Sequence, residues 1–235
     1  EMSASLGAGD VYKRQDGKKI GKHRKAHLFD INVKNGQYFK ESDTLTSGDH
    51  ATVFDTEFGK MGVMICYDIR FPEFARTMAL DGARMIFVPA AFNMTTGPAH
   101  WELTFRARAL DNQIYMLGCA PARDTQAGYI SWGHSIVTDP WGQVMKQLDE
   151  KEGILIEEID LDREDQIREQ LPLLKHRKSE ITIYKRTHFF RKPTINQTHL
   201  SDIVIPSTKT KETERIQNRK NREVLLSLIH ISEPT

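Results

Sequence analysis

Between residues 51 and 171 the apolar positions switch between a two-residue and a 3.6-residue period. The run ATVFDTEFGKMGVMI reads as two strands, 51–55 and 61–65, joined by a short turn with a glycine. In FPEFARTMALDGA the apolar residues stand at 71, 74, 75, 78 and 79, the stripe of an amphipathic helix. Pro72 suits its first helical position and Gly82 its stop. RMIFVPA (84–90) is apolar without alternation, as a strand covered on both faces should be, and Pro89 ends it. GPAHWELTFRARALDN (97–112) predicts a second helix with proline near its start, and QIYMLGCA (113–120) another buried strand.

Hairpins follow. GHSIV and GQVMK flank Asp139-Pro140-Trp141-Gly142, with proline and glycine where a type I turn prefers them. GILIEEIDL (153–161) predicts a further strand and DREDQIREQL (162–171) a polar helix. Early alternation of strand and helix, then hairpins, predicts an α/β fold: a mixed sheet with helices packed on it. No internal repeat is present.

Composition adds boundaries. The pattern is globular from about Gly21 to Tyr184, and both ends look foreign to it. SASLGAGDVYKRQ and SLIHISEPT resemble translated sequencing-adapter read-through. The expected organisation is therefore a non-native leader over 1–18, a domain over 19–184 lacking its N-terminal part, and a basic, disordered tail over 185–235. Residues 185–222 hold ten Lys/Arg against three Asp/Glu, while the whole chain is near neutral at +1. Such a tail is basic enough to touch nucleic acid or an acidic membrane, but no aromatic interleaving or folded motif sharpens that idea. No apolar run approaches the ~18 residues of a membrane span. EMSASLGAGD shows no signal-peptide pattern. Two cysteines, Cys66 and Cys119, make no disulfide framework and suit a reducing, cytoplasmic compartment.

Candidate chemistry centres on MGVMICYDIRFPE (61–73), where Cys66 closes a strand and precedes a helix. That position lies at the carboxyl edge of the sheet, where α/β folds bind ligands. The turn would leave the N–H groups of Tyr67 and Asp68 facing an oxyanion, and the helix start would favour a thiolate. A packed, inert thiol is the plainer alternative. KHRKAHLFDI (22–31) carries Lys25, and FKESDTLTSGD carries Glu41 sixteen residues on; each alone reads as a surface charge. The loop PAAFNMTTGPAHWE (89–102) should open at the same sheet edge as the cysteine. His23 and His27, spaced i, i+4, have no third ligand near them, so no metal is expected. Cys66 with His100 or His134 would make a papain-like thiol hydrolase, but the local pattern around the cysteine is absent.

Taken together, HRKAHLFDI, GVMICYDIRFPE and PAAFNMTTGPAHWELTFRARALDN resemble the lysine, cysteine and substrate-loop blocks of the nitrilase superfamily of carbon–nitrogen hydrolases, and most closely its omega-amidase branch. The resemblance covers about residues 19–184. It implies an αββα sandwich, four-layered in a homodimer, with a Glu-Lys-Cys triad and neither metal nor organic cofactor. Cys66 then matches the nucleophile, Lys25 the triad lysine, and Glu41 a second pocket glutamate that positions substrate. The triad's own glutamate, which belongs to an early strand, has no match in residues 1–18, and on that ground this chain is expected to be inactive. By the same resemblance the Tyr67 N–H and Lys25 hold the oxyanion, Phe92, Asn93 and Thr96 line the pocket, and Arg70 is a candidate carboxylate anchor. An ion pair among Asp68, Arg70 and Glu73 would fix the turn. The implied reaction releases ammonia from a small carboxylated amide through a cysteine thioester. The alternative from another class is a non-catalytic interaction protein that uses the same scaffold and its basic tail; no membrane or nucleic-acid partner is expected.

Overall fold

The computed structural model describes residues 9–13, 19–32, 38–181 and 223–230. The chain divides into two units, residues 1–175 with 222–235, and residues 176–221. The second is described only over 176–181, where a 3-10 turn spans Ser179–Ile181.

In the first unit, β1 (Gly9–Lys13) pairs antiparallel with β2 (Lys19–Arg24), and β3 (Asp30–Asn32) with β4 (Tyr38–Lys40). The centre is a six-stranded sheet of β5 (Thr52–Thr56), β6 (Gly59–Val63), β7 (Met85–Pro89), β8 (Tyr115–Cys119), β9 (Ile136–Thr138) and β10 (Val144–Gln147), side by side in chain order. β6, β7 and β8 are parallel and are joined by α1 (Pro72–Leu80) and α2 (Gly97–Asn112); the outer pairings are antiparallel. β11 (Gly153–Asp160) leads into α3 (Leu161–Gln170) and pairs with β12 (Glu223–His230) as a separate two-stranded sheet. This is the mixed α/β architecture that the alternation of periods predicts.

The central strands are apolar throughout because both faces of the sheet are covered. On one face Ile86, Val88, Met116 and Ile136 meet Ala75 and Met78 of α1 and Trp101 and Phe105 of α2. On the other, Met85, Phe87, Tyr115 and Leu117 meet Leu155, Ile159 and Leu161. Each large side chain so buried is worth about 1.5–3 kcal/mol over its exposed state. None of the described helices is long and apolar enough to cross a membrane.

Boundaries differ in instructive places. The predicted pair 51–55 and 61–65 is Thr52–Thr56 and Gly59–Val63, because Gly59 takes the corner at φ +104°. β6 thus stops early, and Met64 and Ile65 lead on to the cysteine. The type I turn forms as expected, with the Gly142 N–H donating to the Asp139 carbonyl at 2.9 Å. Two strands fall in the segments set apart at the ends. β1 lies within 1–18. β12 lies within 185–235, its backbone pairing with β11 residue for residue and covering what would be an open edge. Residues 1–8, 14–18, 33–37, 182–222 and 231–235 lie outside the described residues.

Candidate active site

β6 and β7 are parallel, so the segments leaving their carboxyl ends open on one edge of the sheet. From β6 the chain turns through a 3-10 helix, Cys66–Arg70; from β7 it runs through Ala91 and Phe92 to α2. Cys66 has φ +46°, a left-handed backbone that costs a non-glycine residue about 1–3 kcal/mol and has to be held by its surroundings. Two sets of bonds hold it. The Asp68 carboxylate accepts the Ile65 N–H at 2.9 Å, and Arg108 of α2 donates to the carbonyls of Ile69 (2.9 Å) and Arg70 (3.2 Å). Neither tie was expected; Arg108 reads in sequence as one more charge on a helix.

Lys25 follows β2 and is buried, 4% exposed. Its ammonium donates to both oxygens of Glu41, at 2.7 and 2.6 Å, and the Phe29 N–H donates to the same carboxylate at 2.8 Å. Behind Lys25 the backbone is crowded: the Gly48 N–H donates to the Lys25 carbonyl at 2.7 Å, and a Cβ on Gly48 would lie 2.5 Å from the Arg24 carbonyl oxygen. Gly48→Ala therefore shifts the lysine segment, with an expected loss of about 1–3 kcal/mol. A melt checks this: the thermal midpoint should fall by several degrees.

The thiol sits among these charges. Burial pushes the Cys66 thiol above its ordinary value, Lys25 pulls it down, the Ala91 backbone and Arg70 help Lys25, and Glu41 opposes them. The sulfur donates to the Ala91 carbonyl at 3.8 Å. Tyr129, from the loop before β9, donates its hydroxyl to the same carbonyl at 2.8 Å, and burial together with the Cys66 and Glu41 charges pushes its phenol above the usual range. The 121–135 loop has no period that would single out this tyrosine. The Arg70 guanidinium lies 4.5 Å over the Phe92 ring and donates to His100 Nδ1 at 3.1 Å.

Cys66, Lys25, Glu41, Arg70 and Phe92 thus share one edge. Of the two N–H groups expected to face an oxyanion, Asp68 donates instead to the Ile65 carbonyl at 3.1 Å, as the first bond of the 3-10 turn. Tyr67 stands one residue before that bond, outside its ladder. Phe92 is buried against Trp101 and supports Arg70 from below. The Asn93 side-chain oxygen accepts from Thr95 N–H, Thr96 N–H and the Thr96 hydroxyl, so these groups close the turn that opens α2.

The expected ion pair among Asp68, Arg70 and Glu73 is not what holds the turn. With three residues per turn, positions 68 and 70 point a third of a turn apart, and Glu73 is exposed. Asp68 points inward to His27, whose N–H and Nδ1 both lie 2.8 Å away, and to His23 Nε2 at 3.6 Å. Burial pushes the Asp68 carboxyl up, but the facing His23 and the hydrogen bonds from Ile65 and His27 outweigh it and hold it below the usual range. The i, i+4 histidine pair therefore serves a carboxylate. His134 stacks on Trp132 and its Nδ1 meets the Trp132 carbonyl at 2.8 Å, while His100 meets Arg70. Neither is paired with the thiol, as a papain-like reading would need.

The carbon–nitrogen hydrolase family profile matches residues 5–169. Omega-amidase NIT2-A of Xenopus laevis is 52% identical over 166 residues, 71% of this chain and 60% of that protein. Omega-amidase NIT3 of Saccharomyces cerevisiae is 48% identical over 167 residues, 71% of this chain and 57% of that protein. The crystal structure of Saccharomyces cerevisiae Nit3, a member of branch 10 of the nitrilase superfamily, superposes with a TM-score of 0.65 at 45% identity, covering 72% of this chain and 58% of that one. The chain thus spans about three fifths of the length of these curated relatives.

Proposed function

This chain belongs to the carbon–nitrogen hydrolase family, and on that premise we propose that the protein hydrolyses the amide of a small carboxylated molecule and releases ammonia. The observation that carries this reading is a thiol on strained backbone just past β6, with a buried lysine and its glutamate partner acting on it. An amide carbonyl is a poor electrophile, so its cleavage needs a strong nucleophile, a stabiliser for the oxyanion and a proton carrier.

The Cys66 thiolate attacks the carbonyl carbon. The carbonyl π electrons move to oxygen, and the Lys25 ammonium and the Tyr67 N–H face that charge. As the oxyanion collapses the C–N bond breaks, the nitrogen takes a proton from a carboxylic acid and leaves as ammonia, and a thioester remains on sulfur. The carboxylate so formed then takes a proton from water, whose oxygen attacks the thioester carbonyl. Carbon–sulfur cleavage releases the acid product and restores the thiolate. Glu41, bonded twice to Lys25, orients the ammonium. The resemblance supplies a further glutamate from an early strand as the proton carrier. Among the described residues the carboxylate set against the thiol is Glu41, so residues 1–235 alone are expected to turn over far more slowly than a restored form carrying such a strand ahead of residue 19.

Omega-amides of dicarboxylic acids are the substrates that best suit a pocket with Arg70 beside the thiol, with Phe92 beneath the guanidinium and the turn closed by Asn93 and Thr96 shaping the rim. A homodimer and a cytoplasmic location belong to the same reading. The test is ammonia release by the restored form from a panel of omega-amides and uncharged amides. Turnover confined to the carboxylated members is expected; turnover of none of them would sink the reading. In that assay Arg70→Ala should raise KM for a carboxylated amide about 10–100-fold, the loss of a charge-assisted hydrogen bond, with a much smaller change in kcat.

A further inference from the structure

Asp68 touches both halves of the site. Its carboxylate is fully buried. One oxygen accepts the N–H of Ile65, the residue before the nucleophile, at 2.9 Å. The other accepts the N–H and ring Nδ1 of His27, two residues beyond Lys25, both at 2.8 Å. His23, two residues before Lys25, is also buried and brings Nε2 within 3.6 Å, while its Nδ1 pairs with the Thr52 hydroxyl of β5 at 2.8 Å. The two histidines straddle the lysine, and both converge on a carboxylate hung from the cysteine turn.

A bond from a backbone N–H to a fully buried carboxylate has little slack, because the carboxylate has no water to turn to if it leaves its donors. Here that bond spans 41 residues of chain, from His27 to Asp68. No covalent path shorter than that links Lys25 to Cys66, and the left-handed backbone of Cys66 needs an external tie.

We propose that Asp68 is a positioning residue that sets the separation between the Lys25 ammonium and the Cys66 thiol, with His27 as its principal donor. It acts through the turn on one side and through the lysine segment on the other, and touches no reacting atom itself. The proposal rests on the amidase reading only in giving the thiol a use. A carboxylate that merely stabilised the fold would, on replacement by its neutral amide, leave the thiol's midpoint in place or lower it, because a nearby negative charge is lost. A positioning carboxylate must raise it, because Lys25 is the charge that most favours the thiolate. The other groups acting on the sulfur are Glu41, Arg70 and Tyr129.

The test uses the full chain and needs no substrate. Iodoacetamide alkylation of Cys66 is followed against pH, and tryptic peptides 61–70 and 109–123 report Cys66 and Cys119 separately. In Asp68→Asn the amide still accepts the Ile65 N–H, but its NH2 opposes the donors of His27. Its Cys66 midpoint should move up by about one pH unit, a tenfold loss of thiolate below the midpoint, with Cys119 unchanged. His27→Gln keeps a side-chain donor and should move it less. An Asp68→Asn midpoint equal to the parent's would overturn the proposal, whatever happened to the melting temperature. If Asp68→Asn loses its near-ultraviolet circular dichroism, His27→Ala, which deletes only the ring donor, decides: a smaller upward shift is expected, and none would overturn the proposal. An inactive substrate panel would leave this result untouched, and an unshifted midpoint would leave the substrate panel untouched.

Discussion

Cys66→Ala in the restored form should abolish ammonia release, a loss of at least about a thousandfold in kcat. Alanine deletes the atom that forms the thioester, and no neighbouring group can take its place. Among the described residues His100 is tied to Arg70, His134 to the Trp132 carbonyl, and the Tyr129 hydroxyl to the Ala91 carbonyl. Alanine also relieves little of the backbone strain at φ +46°, so the fold should be kept. The melting temperature and kcat therefore separate: the first stays within a few degrees of the parent while the second vanishes.

Lys25→Met is the second large effect, expected at about a hundredfold or more in kcat. Methionine matches the length of the buried stem but leaves Glu41, 18% exposed, with the Phe29 N–H alone in place of two further bonds. Two losses then add. The oxyanion loses its nearby positive charge, and the thiol loses the group that most opposes its burial. The sign for pH follows. Burial already holds the thiol above its ordinary value, so activity should rise with pH as the thiolate forms; without Lys25 the same rise should begin at higher pH. A pH–rate profile of parent and variant checks both the drop and its direction. A variant profile unshifted on the pH axis would show that Lys25 does not act on the sulfur.

How much of this was legible in the chain differs from residue to residue. Pro72, Gly82 and the stripe at 71, 74, 75, 78 and 79 mark α1, and 97–112 is a helix to the residue, because packing against one sheet face demands that spacing. The sheet edge that gathers Cys66 and the Ala91–Phe92 loop follows from the βαβ order alone. Lys25 and Glu41 were singled out through family blocks; their own surroundings in the sequence look like those of surface charges. What the sequence hid are long-range partners. Asp68 has charged neighbours at 70 and 73, and the simplest local pairing is with them, yet beyond the Ile65 N–H its donors sit on His27, 41 residues back. Asn93 and Thr96 carry polar groups that look ready for a ligand, and a three-residue turn uses them. Tyr129 and Arg108 gain their places from loop and helix packing that no periodicity announces. β12 follows a basic, low-hydrophobicity run, so composition gives no sign of a strand there.

The most direct measurement of the central claim is to catch the acyl group on sulfur. The restored form is mixed with an omega-amide, quenched in acid within the first turnover, digested and weighed. The account predicts that peptide 61–70 gains the mass of the acyl group while peptide 109–123 gains none, and that Cys66→Ala shows neither adduct nor ammonia. Ammonia released at full rate from Cys66→Ala, or an acyl group found on any other peptide, would contradict it.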